Sequence, residues 1–183
     1  MAEAMNRVLI AGISGAGKTT LARKLSERYG LPRYELDALH HGPGWVPRPE
    51  FESDVKEFSA QDRWVTEDQY HRVLGDLLWD RADTVIWLDL PRRTVMWRVI
   101  RRSVIRAVDR RPLWNGNKES VRNWFEADHP IRWAWSQFAR RRSQTAERAT
   151  RHPDVTVIHL HTPRQARRWL TEAAGARRPP LKS

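Results

Sequence analysis

The stretch Gly12-Ile13-Ser14-Gly15-Ala16-Gly17-Lys18-Thr19 decides the fold, because it matches the pattern G-x-x-x-x-G-K-[ST] at every position. The glycines let the backbone curl so that successive N–H groups point at phosphate oxygens. The helix that follows adds the positive end of its dipole to the same site. The residues predicted to bind a nucleotide here are Gly12, Ser14, Gly15, Ala16, Gly17, Lys18, Thr19 and Thr20.

Two side chains of this loop are predicted to act on the phosphates directly. Lys18 is expected to reach the β- and γ-phosphates and to act in catalysis, and the Thr19 hydroxyl is expected to bind Mg²⁺. ATP is the expected nucleotide, because the guanine-reading motif N-K-x-D is absent: Asn117-Lys118-Glu119 lacks the aspartate. The preference for ATP over GTP stays open at this point.

Alternating strand and helix patterns extend outward from this loop. Arg7–Ala11 is a short apolar run of the kind found in buried parallel strands, and Lys18–Tyr29 has apolar residues at helical spacing until Gly30. The pattern predicts an α/β three-layer sandwich with a five-stranded, mostly parallel sheet. The five predicted strands are Arg7–Ala11, Arg33–Leu36, Trp64–Thr66, Thr84–Leu88 and Val155–Leu160.

The helices predicted after the first one complete a single domain over residues 1–183, with a tail at 175–183 expected to be disordered. These helices are Glu50–Ala60, Tyr70–Trp79, Arg93–Val108 and Pro163–Ala174, and Glu119–Arg151 is expected to be mostly helical with an interruption near His129-Pro130.

The composition limits the class of protein. Cysteine is absent, which excludes disulfides and thiolate metal sites, and no apolar run approaches the roughly 20 residues that cross a bilayer. Without a secretory signal at the N-terminus, a cytoplasmic location is expected. The net charge of +11 is typical of proteins that bind nucleic acid, an anionic surface or a small polyanion.

Acidic residues follow three of the predicted strands, at the sheet edge where ligands of such folds bind. Asp37 is predicted to orient or deprotonate a phosphoryl acceptor, with a helix cap as the alternative. Glu67 or its neighbour Asp68 is predicted to hold the metal, with solvated charge as the alternative. Asp89 is expected to fix its own loop instead.

Four arginines recur at helical spacing after Asp89. Arg98, Arg101, Arg102 and Arg106 share one helix face, and guanidinium groups suit phosphate contact and the charge that develops during phosphoryl transfer. We predict a catalytic role for at least one of the first three and nucleotide binding for Arg106. An ordinary solvated basic face is the alternative.

The breaker-rich loop at residues 40–49 contains further candidates. Trp45 and Arg48 are placed to close over an acceptor, although hydrophobic packing of the loop is the competing interpretation. His40 and His41 lack a metal-ligand pattern and are interpreted as polar loop residues.

Several segments together resemble a known family. The phosphate loop, Leu36–His40, Gly44-Trp45, Trp64–Glu67, Thr84–Pro91 and His129–Trp135 are similar to the adenylate-kinase-like P-loop ATPases labelled DNA topology modulation proteins (FlaR-like), over roughly residues 7–170. The resemblance implies a fold of the nucleoside monophosphate kinase type, with an acceptor-binding segment at about 37–63 and an arginine-rich lid at about 93–140.

The same resemblance implies roles for residues that the spacing alone does not single out. Arg164, after the last strand, is expected at the nucleotide base, and Gln69 and Tyr70 are expected at the acceptor. One departure matters: the family tends to have Trp-Ile-x-Asp-Gly-Asn-Tyr where this chain has Trp64-Val65-Thr66-Glu67-Asp68-Gln69-Tyr70. Asp68 in place of glycine is expected to add bulk and charge near the acceptor.

Two functions from different classes follow. The first is an ATP- and Mg²⁺-dependent kinase acting on a nucleoside monophosphate or another small metabolite, with the arginine density favouring an anionic acceptor. The second is an ATP-binding, nucleic-acid-associated regulator with little kinase activity, motivated by the net charge. A bare NTPase is a further alternative, and the oligomeric state is left open.

Overall fold

A central parallel sheet organises the chain in a computed structural model that describes residues 5–109 and 130–175. Within these residues the sheet has four strands in the order β2-β1-β3-β4, and every neighbouring pair is parallel. The strands are β1 (Arg7–Ala11), β2 (Trp64–Glu67), β3 (Thr84–Leu88) and β4 (Thr156–Leu160).

Side chains from the central strand alternate between two apolar cores. Val8 and Ile10 point to one face, where they pack with buried residues that include Leu25 and Val99. Leu9 points to the opposite face, into a cluster that includes Trp64. Because both faces of the sheet are covered, the two central strands β1 and β3 are buried along nearly their whole length, as the apolar runs in their sequence predicted.

The predicted fifth strand is absent from the described residues, which corrects the expected strand count. The segment Arg33–Leu36 forms one parallel bridge, Arg33 to Val65, at the edge of β2. Val65 N–H donates to Pro32 O at 2.8 Å, and Tyr34 N–H donates to Val65 O at 3.1 Å. Proline has no N–H to donate, and a helix begins at Leu36, so pairing is confined to these few residues.

Helices cover both faces of the sheet. The long predicted helix over Tyr70–Trp79 is in fact two short helices, because Gly75 adopts a φ of +56° between them. The helices are α1 (Lys18–Tyr29), α2 (Leu36–His40), α3 (Phe51–Ser59), α4 (His71–Leu74), α5 (Leu77–Arg81), α6 (Arg92–Asp109), α7 (Pro130–Arg151) and α8 (Pro163–Gly175), and Pro43–Trp45 forms a 3₁₀ turn.

Some predictions fall outside the described residues. The middle of the expected lid (110–129), with Asn117–Glu119, and the tail from 176 onward are not described, nor are the side chains of Arg102 and Arg106. No helix in the described ranges combines the length and apolar character that a bilayer crossing requires.

Candidate active site

The phosphate loop depends on glycine for both conformation and space. Gly12, Gly15 and Gly17 have φ values of +142°, +85° and +102°, a region that other residues rarely adopt. A Cβ atom at Gly12 would lie 2.9 Å from Leu88 O, and one at Gly15 would lie 2.6 Å from Val99 Cγ2. The loop therefore packs directly against the end of β3 and against α6.

A cavity of about 740 Å³ opens in front of this loop. Its wall combines the loop with residues from the ends of α2, β2 and β3 and from α6 and α8. The lining residues are Ser14, Gly15, Ala16, Gly17, Lys18, Thr19, Thr20, Leu21, Lys24, Glu35, Leu36, Asp37, Glu67, Gln69, Leu88, Leu90, Arg98, Pro163, Ala166, Arg167 and Leu170.

Lys18 and Glu67 form a buried pair of opposite charges inside this wall. The Lys18 Nζ atom lies 4.0 Å from Glu67 Oε2, and the side chains are 8% and 11% exposed. Each charge offsets the cost of burying the other. The Thr19 hydroxyl lines the same cavity, so the site offers a hydroxyl and a carboxylate oxygen, the donors that Mg²⁺ prefers.

Asp37 lies in the first turn of α2 and faces the cavity. The Tyr70 hydroxyl donates a hydrogen bond to Asp37 Oδ1 at 2.7 Å. Burial, and then this hydrogen bond, raise the pKa of Tyr70, so the phenol remains a donor throughout the physiological range. Tyr70 does not line the cavity, and its hydroxyl positions the Asp37 carboxylate.

Two histidines, His40 and His41, contact Tyr70. The His40 ring stacks on the tyrosine with ring centroids 4.3 Å apart, and His41 Nε2 lies 3.2 Å from the tyrosine hydroxyl oxygen. Burial and the neighbouring His41 lower the pKa of His40. These histidines, interpreted from the sequence as polar loop residues, thus belong to the cluster that fixes Asp37.

Arg98, on the basic helix α6, reaches the cavity. Its Nη1 atom donates to Ala16 O at 2.8 Å, across the phosphate loop. A Cβ atom at Gly17 would lie 3.3 Å from the same nitrogen. Of the two members of the set whose side chains the structure describes, Arg98 lines the cavity, whereas Arg101 is exposed and does not.

Trp45 and Arg48 do not line the cavity, although the sequence placed them at the acceptor. Arg48 Nη2 lies 3.1 Å from Asp54 Oδ2, and its Nη1 donates to Leu39 O at 3.2 Å. Trp45 contacts the His41 ring edge-on at a centroid distance of 5.2 Å. Their contacts hold the loop against α3, in agreement with the alternative of loop packing.

One face of α8 forms part of the cavity wall. Pro163, Ala166, Arg167 and Leu170 recur at helical spacing and all line the wall. Arg164 is exposed and lies off this face, because it is one position from Pro163 and therefore rotated away. Arg167 was not predicted from the sequence, although the i, i+3, i+4, i+7 pattern from Pro163 places it on this face.

Asp68 is buried but does not line the cavity, so Glu67 is the acid that faces the phosphate loop. The Trp79 indole N–H donates to Asp68 Oδ1 at 3.2 Å, and His71 Nδ1 lies 3.4 Å from the same oxygen. Burial raises the pKa of Asp68 to about 6 and lowers that of His71 to about 3. The Asp68 side chain thus does not enter the cavity as expected, since its carboxylate contacts Trp79 and His71 instead.

Asp89 connects distant elements instead of fixing only its own loop. Its Oδ2 atom accepts hydrogen bonds from Arg142 Nε at 3.0 Å and lies 3.0 Å from His159 Nε2 and 3.7 Å from His161 Nδ1. Asp89, His159 and His161 offer ligand atoms within 4.8 Å of one another. The Arg142 guanidinium already supplies a positive charge at this oxygen, so the cluster is complete as an ion-pair network.

No protein-family model and no curated protein matches the chain. Among solved structures it is similar to a shikimate kinase from Acinetobacter baumannii in complex with shikimate, with a TM-score of 0.57, 15% identity and coverage of 95% of this chain and 93% of that one. A shikimate kinase from Bacteroides thetaiotaomicron matches with a TM-score of 0.51, 14% identity and coverage of 94% and 98%.

The fold of this chain is similar to that of these two shikimate kinases. The similarity extends over nearly the whole of each chain, which confirms the predicted α/β architecture with a parallel sheet. It does not extend to the narrower label of DNA topology modulation protein, for which these comparisons give no support.

Proposed function

We propose that this protein is a phosphotransferase that moves the γ-phosphoryl group of ATP, with Mg²⁺, to a hydroxyl group of a small acceptor. One observation carries the proposal: a single cavity brings the phosphate loop together with the carboxylates of Asp37 and Glu67. A site that only bound a nucleotide would not need a second carboxylate, held by its own tyrosine, in the wall of the same cavity.

Each group of residues in the cavity has a separate proposed role in phosphoryl transfer. The loop amides and Lys18 would bind the β- and γ-phosphates, and Arg98 would stabilise the charge that develops on the phosphoryl oxygens. Thr19 and Glu67 would hold Mg²⁺, which when bound neutralises charge on the β- and γ-phosphates. Arg167, Ala166 and Leu170 offer a wall for the base.

Asp37 is proposed to act on the acceptor. The bond from Tyr70 uses Oδ1, and we assign the proton-accepting role to Oδ2. The acceptor hydroxyl gives its proton to this carboxylate as its oxygen bonds to the γ-phosphorus, and the bond from that phosphorus to the β,γ-bridging oxygen breaks. ADP leaves with the electron pair, and the proton passes from Asp37 to solvent.

The test is acceptor-dependent ADP formation in the presence of Mg²⁺, with the Lys18→Ala variant as the main comparison. Because Lys18 is buried beside the phosphate loop, its loss should lower turnover roughly 100- to 1000-fold. Lys56→Ala is the matched control, since Lys56 is an exposed lysine paired with Glu52 outside the cavity. Retained turnover in Lys18→Ala would refute the proposal, and ADP formation without any acceptor would favour a bare NTPase.

A further inference from the structure

We infer that the acceptor is a hydroxyl-bearing molecule that is uncharged or positively charged, and not a phosphate or carboxylate compound. The inference rests on the proposed function and narrows its substrate class. It also differs from the expectation based on arginine density. It follows from the charges at the part of the cavity formed by α2 and the end of β2, where Glu35, Asp37, Glu67 and Gln69 line the wall.

The acceptor-binding segment predicted at residues 37–63 is described throughout, and it contains three arginine or lysine residues. Each of them is engaged away from the cavity. Arg48 pairs with Asp54, Lys56 Nζ lies 2.7 Å from Glu52 Oε1, and Arg63 Nη2 donates to Tyr29 O at 2.7 Å. The predicted acceptor-binding segment therefore offers no cation to the cavity.

The cations that do line the cavity belong to other elements. Lys18 and Lys24 lie on α1, Arg98 lies on α6, and Arg167 lies on α8. Lys18 and Arg98 already contact the buried Glu67 and the loop carbonyl of Ala16. In the described part of the wall, Lys18 and Arg98 thus lie at the phosphate loop, where the triphosphate is proposed to bind.

The part of the wall that contains Glu35, Asp37 and Glu67 stays negatively charged after the ion pairs of these residues are counted. Arg33 forms an ion pair with Glu35, and Glu67 is assigned to the metal, so these two charges are partly offset. Asp37 is hydrogen-bonded by the neutral phenol of Tyr70, which leaves its negative charge in place. A phosphate or carboxylate on the acceptor would be repelled there, whereas hydroxyl and ammonium groups can donate hydrogen bonds to Asp37 and Gln69.

The decisive experiment measures acceptor binding by calorimetry with the protein saturated by Mg²⁺ and a nonhydrolysable ATP analogue. Matched probes differ in one charged group: uridine against uridine monophosphate, and glucose and glucosamine against glucuronate. We expect the neutral or amino member of a set to bind at least tenfold more tightly than its anionic partner. Tighter binding of an anionic member, or the failure of every probe to bind, would overturn the inference.

A variant provides a second measurement on the same probes. Gln69→Lys places a cation on the acidic wall and should strengthen binding of the anionic probes at least tenfold, whereas Gln61→Lys adds the same charge at an exposed position outside the cavity. Equal effects of the two substitutions would contradict a local charge effect. The affinity for the ATP analogue is measured first: its absence would defeat the proposed function, whereas its presence with an anionic preference would defeat only the inference.

Discussion

Replacement of Gly15 by alanine tests how tightly the phosphate loop is built. Gly15 has a φ of +85°, and an added Cβ atom would lie 2.6 Å from Val99 Cγ2 and 3.1 Å from Val95 O. The backbone conformation alone costs an alanine about 1–2 kcal/mol. Inserting a methyl group into a closely packed contact adds about 1–3 kcal/mol. We expect Gly15→Ala to lower the free energy of unfolding by about 2–5 kcal/mol, the sum of these two terms.

Gly30→Ala separates the two terms. Gly30 has a φ of +60°, but a Cβ atom there would meet nothing within 4 Å. Its substitution should therefore cost about 1–2 kcal/mol from the backbone conformation alone. The difference between the two variants measures the clash with α6.

The clash should also appear as a coupling between Gly15 and Val99. Val99 is fully buried, so Val99→Ala is destabilising by itself, but it removes the methyl group that a Cβ at Gly15 would strike. In the double variant we expect a favourable coupling of about 0.5–3 kcal/mol. Recovery should be partial, because the positive φ and the contact with Val95 O remain.

The assays are urea denaturation for stability and calorimetry for the affinity of Mg²⁺ with a nonhydrolysable ATP analogue. Movement of the loop should reduce that affinity at least tenfold in Gly15→Ala and leave it unchanged in Gly30→Ala, since Gly30 ends α1 away from the cavity. If Gly15→Ala is no more destabilising than Gly30→Ala and binds the analogue equally well, the packing argument is refuted.

Three further predictions concern single side chains. Asp37→Asn should lower kcat by about 10²- to 10⁴-fold with little change in ATP-analogue affinity, and a turnover near that of the parent protein would exclude it as the base. Asp76→Asn should lose roughly 1.5–3 kcal/mol of stability at pH 7, because the buried Arg148, whose Nε lies 2.7 Å from Asp76 Oδ1, loses its carboxylate partner. Burial alone would raise the pKa of Asp76, but the hydrogen bonds from Arg148 and Arg151 outweigh it and lower that pKa in the folded protein. The stability that the Asp76 carboxylate contributes is therefore present above the unfolded-state pKa of about 3.9 and is lost as the pH falls through the lower pKa of the folded state. In urea denaturation the difference in stability between the two proteins should therefore be present at pH 7 and should shrink as the pH falls below about 4; a constant gap would contradict this. Arg167→Ala should weaken nucleotide binding several-fold in calorimetry while Arg164→Ala does not, and the reverse order would restore the sequence-based assignment.

The phosphate loop could be predicted from sequence because its geometry is set by contiguous residues. Glycines at fixed spacing between a buried strand and a helix allow few other conformations, and the loop forms where expected, with positive φ at Gly12, Gly15 and Gly17. Four of the five predicted strands were likewise visible as apolar runs. The fifth failed because Pro32 and the helix beginning at Leu36 limit pairing to a single bridge, an edge effect that a short apolar run does not reveal.

The sequence by itself determined the phosphate loop, the alternation of strands and helices, and the strand end that carries Glu67. Only the tertiary structure decided which charged side chain of each neighbouring pair reaches the cavity: Glu67 and not Asp68, Arg167 and not Arg164. The physical reason is that the orientation of a charged side chain depends on the groups with which it forms hydrogen bonds or ion pairs. Those partners, such as Trp79 for Asp68, come from other elements of the chain.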